Sequence, residues 1–79
     1  MAVELSNDRK AVEITWDASA LSGKKVTIKC VNPDGGDVST RKTENDGKAV
    51  ITFPAGYSGE THVTVTDMGG REETGTIEV

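Results

Sequence analysis

The chain's single cysteine and single histidine, Cys30 and His62, are the first pair of residues that could carry chemistry. A histidine beside a cysteine activates the thiol as a nucleophile. However, alternation of apolar and polar residues places Cys30 on the same face as Val26 and Ile28, whereas His62 faces the opposite way from Val63. A buried free cysteine is usually inert. We therefore expect a structural thiol and no nucleophilic site.

Acidic and amide side chains occur in the predicted turns, at Asp34, Asp37, Asn45 and Asp46. Oxygen-rich turns suit calcium, which takes about 6–8 oxygen ligands. No EF-hand spacing is present, and Asp and Asn in turns commonly hydrogen-bond their own backbone. A lone cysteine also excludes a disulfide framework and a four-cysteine zinc site. We predict no bound metal and no cofactor.

The thirteen Asp and Glu residues could supply a hydrolytic carboxylate pair only within a cleft that perturbs their pKa values. A chain of 79 residues has little volume for a cleft once its core is filled. Phosphate-binding loops, nucleophile elbows and metalloprotease motifs are also missing. The sequence thus predicts a protein that has no catalytic residues and is not an enzyme.

The net charge of −4 argues against nucleic acid as a partner, because phosphate neutralisation needs clustered Lys and Arg. Aromatic side chains, on which sugars and single strands stack, are limited to Trp16, Phe53 and Tyr57. Trp16 and Phe53 fall on inward positions, so only Tyr57, near a loop, could be displayed to a ligand.

The chain has no run of about 18 apolar residues and no signal-peptide pattern. We therefore expect neither membrane insertion nor an export signal.

The elements that must position these residues are short strands. Thr, Val and Ile are abundant, Leu5 and Leu21 are the only leucines, and nine glycines interrupt the chain at short intervals. Apolar residues recur at every second position, which is typical of half-buried strands. Strands are predicted at Val3–Leu5, Ala11–Asp17, Lys24–Val31, Val38–Lys42, Lys48–Phe53, Glu60–Asp67 and Thr74–Val79.

Seven such strands, spaced roughly ten residues apart, predict one all-β domain over residues 1–79. A small barrel is the alternative, but we favour an antiparallel β-sandwich. Residues 17–22 could form one helical turn or a plain loop, and the polar strand 38–42 is expected at a sheet edge. The predicted core consists of Val12, Ile14, Trp16, Val26, Ile28, Cys30, Ile51, Phe53, Val63, Val65 and Ile77.

Two segments of the chain resemble bacterial immunoglobulin-like domains. Thr43–Phe53 is similar to the segment T-d-x-x-G-x-a-x-v-t-f of that family, and Gly59–Asp67 is similar to its next strand, G-x-y-x-v-t-v-t. Ala11–Asp17, which contains Trp16, is similar to the second strand of fibronectin type III domains. The resemblance covers these three segments. It implies an immunoglobulin-like antiparallel β-sandwich of about seven strands, and it implies no activity.

The chain departs from antibody-type domains in two respects. It has Cys30 alone, where those domains have a cysteine bridge between the sheets, and its Trp16 falls on the second strand instead of the third. The antibody subtype is therefore not expected. Tyr57 lies just before the sixth predicted strand, near the position of a tyrosine corner.

With these other roles set aside, the sequence predicts a structural or binding module whose partner is a protein. The resemblance implies a bacteriophage role, because phages carry immunoglobulin-like domains on capsids and tails that are made in the host cytoplasm. We expect a capsid decoration protein that binds the capsid lattice, or another repeated assembly, in multiple copies on the virion surface, where weak contacts add through multivalency. The candidate partner-binding residues are Val3, Leu5, Tyr57, Ile77 and Val79.

The alternative is an excised immunoglobulin-like or fibronectin type III-like domain of a secreted bacterial adhesin or a multidomain enzyme. Met1 and Ala2 would then be a cloning remnant, and the role would be adhesion or spacing at the cell surface. A native reading frame that continues on either side would support this alternative.

Overall fold

Seven β-strands account for most of the chain in the computed structural model, which describes all residues from Met1 to Val79. The other regular element is a 3₁₀ turn over Ala18–Ala20, where Asp17 accepts hydrogen bonds from the backbone N–H and the hydroxyl of Ser19 at 3.0 and 2.6 Å. No helix is long and apolar enough to cross a bilayer. The strands are β1 (Ala2–Leu5), β2 (Ala11–Thr15), β3 (Lys25–Val31), β4 (Asp37–Glu44), β5 (Lys48–Thr52), β6 (Glu60–Asp67) and β7 (Glu72–Glu78).

The strands form two antiparallel sheets that face each other. The smaller sheet has the order β1-β2-β5, and the larger sheet has the order β4-β3-β6-β7. At one side of the sandwich β1 lies against β7. At the other side Arg41 of β4 donates a hydrogen bond to the carbonyl oxygen of Val50 in β5 at 3.0 Å. The predicted seven-stranded antiparallel sandwich is confirmed, and the chain forms two sheets instead of the alternative barrel.

The core between the sheets follows the alternation that predicted the strands. Ten of the eleven predicted core residues belong to one cluster of twelve buried apolar residues. Ile77 is only partly buried, because it lies on an edge strand. Leu21, in the loop after the 3₁₀ turn, and Val79 complete the cluster. Val79 is held there because it exchanges two backbone hydrogen bonds with Gly59, at 2.9 and 2.8 Å.

The edge strands of the larger sheet are longer than their apolar residues predicted. Strand β4 spans Asp37–Glu44 instead of residues 38–42, and β7 begins at Glu72 instead of Thr74. The added residues are polar and pair through their backbone. A pattern of apolar side chains cannot predict such residues. The predicted edge position of β4 is confirmed.

Candidate protein-binding surfaces

Cys30 and His62 lie on opposite faces of the larger sheet and form no catalytic pair. Cys30 is fully buried and pairs with Val63, whereas His62 pairs with Val31 on the outer face, 3.9 Å from Glu60. Burial raises the pKa of the Cys30 thiol to about 11, so the sulfur is protonated at neutral pH. The structure thus places the thiol in the core, as the alternation predicted.

The acidic turn residues do not converge. No group of three or more His, Cys, Asp or Glu side chains is close enough together to hold a metal ion. Asp37 lies 3.7 Å from the ammonium group of Lys29, and Asp46 accepts a 3.4 Å hydrogen bond from the backbone N–H of Lys48. Asp34 lies on an exposed turn, where its backbone N–H donates to the Asn32 side chain. The carboxylates of Asp37 and Asp46 therefore contact neighbouring groups, whereas the carboxylate of Asp34 has no such partner.

Asn45 is different, because its side chain is used inside the molecule. Its Oδ1 accepts a hydrogen bond from the Trp16 indole N–H at 2.8 Å, and its Nδ2 donates to the carbonyl oxygens of Ala18 and Gly23 at 3.1 and 3.2 Å. A single amide therefore connects the end of β2, the 3₁₀ turn and the loop that precedes β3.

Asp67 is a buried carboxylate that the alternation of the sixth predicted strand did not identify as structural. It accepts hydrogen bonds from the backbone N–H and the hydroxyl of Ser22 at 2.8 and 3.1 Å. It also accepts bonds from the backbone N–H groups of Gly69 and Arg71 at 2.8 and 2.9 Å. The sequence did contain a signal, since an Asp directly before a Gly-rich turn commonly caps that turn.

Tyr57, one of the predicted contact residues, packs at one end of the sandwich. Its ring centroid lies 5.4 Å from that of Phe53, and its hydroxyl shares a 2.7 Å hydrogen bond with the buried Thr61. The bond runs to a downstream residue, so Tyr57 does not form a tyrosine corner. With Arg9, whose φ of 60° is left-handed, it lines a surface depression of about 440 Å³.

Val3 and Ile77, also predicted contact residues, lie where β1 meets β7. Both are partly buried against the core, and a Cβ at Gly75 would lie only 2.9 Å from Cγ2 of Val3. Val79, the third residue predicted near this edge, is 7% exposed and belongs to the core itself. The structure therefore uses all three side chains to close the sandwich.

Leu5, the remaining predicted contact residue, lines a depression of about 350 Å³ on the smaller sheet. Glu4, Glu13 and Val50 align directly across β1, β2 and β5 on the outer face of this sheet. Val50 is 50% exposed. The sequence analysis missed Val50, although its position out of phase with its two inward neighbours marked it as outward-facing.

The outer face of the larger sheet is polar instead. The cross-strand pairs place Lys25, Lys29 and Lys42, together with Glu44, on the β3–β4 side of this face and glutamates on the β7 side. The same face also carries six threonines, which are Thr27, Thr40, Thr64, Thr66, Thr74 and Thr76.

No family model, no curated protein and no solved structure matches the chain. Any inference about function therefore rests on the surfaces of the molecule itself.

Proposed function

We propose that this protein is a non-enzymatic, protein-binding module with an immunoglobulin-like fold that decorates the capsid surface of a bacteriophage. The strand order supports the fold assignment. One sheet contains the first, second and fifth strands, and the other contains the third, sixth and seventh, as in immunoglobulin domains of the constant type. The fourth strand departs from that type, because it pairs with the third strand in the larger sheet.

The proposed docking surface is the outer face of the smaller sheet, and exposed Val50 is the observation that carries it. Covering apolar surface contributes about 25 cal/mol per Å² to association, so covering the half-exposed Val50 beside this depression would favour contact with a partner. Glu4 and Glu13 flank Val50 on the same face. A protein surface with an apolar residue between basic side chains would complement this arrangement.

Support for a capsid as the partner comes from the resemblance of Thr43–Phe53 and Gly59–Asp67 to bacterial immunoglobulin-like domains. A face with one exposed aliphatic side chain binds weakly by itself. On a repeating lattice many such contacts act together, and their combined strength exceeds that of any one contact.

Cosedimentation of the purified protein with phage shells that lack it tests this proposal. We expect the wild type to pellet with the shells and Val50→Asp to bind at least about tenfold more weakly, because the new charge would be buried in the contact. Ser58→Asp adds the same charge at an exposed loop position away from this face and should bind like the wild type. Wild type that stays in the supernatant, or Val50→Asp that binds equally well, would refute the proposal.

A further inference from the structure

The larger sheet ends in two long free edges that differ in charge. Strand β4 has eight residues and β7 has seven, whereas the edges of the smaller sheet, β1 and β5, have four and five. On β4, Glu44 and Asp37 are paired with lysines of β3, but Arg41 and Lys42 face no carboxylate. Strand β7 contains no basic residue, and its acidic residues are Glu72, Glu73 and Glu78.

The existing ladders fix which backbone groups are free at each edge. In β7, Val79 exchanges both its hydrogen bonds with Gly59, so the odd-numbered residues face β6. Beyond β4, the N–H of Asn45 donates to the carbonyl of Lys24 at 2.8 Å, so the odd-numbered residues of β4 face β3. The even-numbered residues therefore point their N–H and C=O groups away from the sheet. They include Thr40 and Lys42 on β4 and Glu72, Thr74 and Thr76 on β7.

The directions of the two edges are compatible with pairing between copies. Three antiparallel pairings separate β4 from β7, so the two strands run in opposite directions. A second copy, translated across the sheet, therefore brings its β4 antiparallel to β7 of the first copy. The free backbone groups of the two strands then face each other, and the four-stranded sheet continues from one copy into the next.

Charge favours one register over its nearest alternatives. With Lys42 opposite Glu72, Arg41 lies opposite Glu73 and Thr40 lies opposite Thr74, so two ion pairs form across the junction. A shift of two residues in one direction places Glu72 opposite Glu44, and a shift in the other direction places Arg71 opposite Arg41. Both alternatives oppose like charges, and a shift of one residue turns the free backbone groups away.

Two inward-pointing charges protect these edges from other strands. Arg41 pairs with buried Ile28, and Glu73 pairs with buried Val65, so both charged side chains share the inner face of their sheet. One carboxylate oxygen of Glu73 lies 3.4 Å from the N-terminal ammonium group of Met1, and the other is buried without a hydrogen-bond partner. Inward charges on an edge strand disfavour pairing with an uncharged strand. In the register with Lys42 opposite Glu72, these two charges meet each other.

We propose that copies of this protein associate head to tail, with β7 of one copy paired to β4 of the next and Glu72 opposite Lys42. Because the two edges differ, the contact is heterologous and produces an open row or a closed ring. A two-fold contact between β7 strands would instead join two acidic strands that contain no basic residue. The proposal is independent of capsid binding, since the outer face of the smaller sheet stays uncovered.

Sedimentation velocity of the purified protein tests the pairing through a charge swap. We expect the wild type to sediment faster as its concentration rises toward about 1 mM, and less so in high salt. Glu72→Lys and Lys42→Glu each place like charges at the junction and should weaken association at least about tenfold. An equimolar mixture of the two variants restores opposite charges at every junction and should recover association. Both positions are exposed, and circular dichroism confirms that each variant folds.

Glu78→Lys is the matched control, because it makes the same charge change on the same strand, beyond the paired residues. It should associate like the wild type. Wild type that stays monomeric, a mixture that does not recover, or Glu78→Lys as weak as Glu72→Lys would each overturn the proposal. None of these results bears on docking to shells, which is measured separately.

Discussion

At the scale of single residues, the carboxylate of Asp67 joins two segments that the strand ladders leave apart. One oxygen binds Ser22, in the loop before β3, and the other binds two backbone N–H groups of the turn between β6 and β7. These bonds favour the charged form and lower the pKa of Asp67 below 3.8, with the Ser22 backbone N–H as the largest cause. The negative charge therefore serves the fold and is not available to a ligand.

We expect Asp67→Asn to lower Tm by roughly 5 °C or more near neutral pH, because the amide replaces an accepting oxygen with a donor. A depressed pKa stabilises the fold above the unfolded-state value of 3.8, and this stabilisation is lost as pH falls through the folded-state pKa. The Tm values of wild type and variant should therefore converge below about pH 4.

Thermal unfolding followed by circular dichroism between about pH 2 and 7 measures this convergence. Asp34→Asn removes an exposed carboxylate that accepts no hydrogen bond, and it should leave Tm unchanged. A Tm difference between wild type and Asp67→Asn that stays constant across the whole range would contradict the role given to the charge.

At the scale of elements, Asn45 fastens the loops at one end of the sandwich. Asn45→Ala leaves the Trp16 indole N–H and the carbonyls of Ala18 and Gly23 without their partner. We expect a loss of about 2 kcal/mol or more in the free energy of unfolding. Urea unfolding followed by the fluorescence of Trp16, the only tryptophan, measures it. Asn7→Ala, at an exposed turn position, is the control, and an equal loss in both variants would contradict the role of Asn45.

The elements differ in how far their sequence predicted them. Alternation located the strands and ten of the twelve core residues, because a strand with one buried face has an apolar residue at every second position. Leu21 lies in a loop outside any alternating segment, so that pattern could not place it in the core. The charges of Arg41 and Glu73 are visible in the sequence, but their inward direction depends on the register with β3 and β6. The sequence predicted apolar residues near the chain ends as partner contacts, and the structure adds Val50 on an exposed face.

At the scale of the whole molecule, the proposed contacts occupy separate surfaces. Docking uses the outer face of the smaller sheet, and pairing between copies uses the two edges of the larger sheet. A twist of roughly 20–25° between neighbouring strands accumulates over the four strands of each copy, so a row turns as it grows and presents its Val50 side chains along a helical path. Docking of many copies to one repeating surface adds weak contacts through multivalency whether or not the copies also pair with one another.

The most direct test of the central claim, that this protein is a component of a large repeated assembly, is sedimentation of a lysate of its native source. Mass spectrometry of the gradient fractions locates the 8.3 kDa chain. We predict that it travels with very large particles, as a capsid decoration protein would. A chain that remains at the top of the gradient as a free small protein would contradict the claim. A chain found only within a longer polypeptide would also contradict it, in favour of the adhesin-domain alternative.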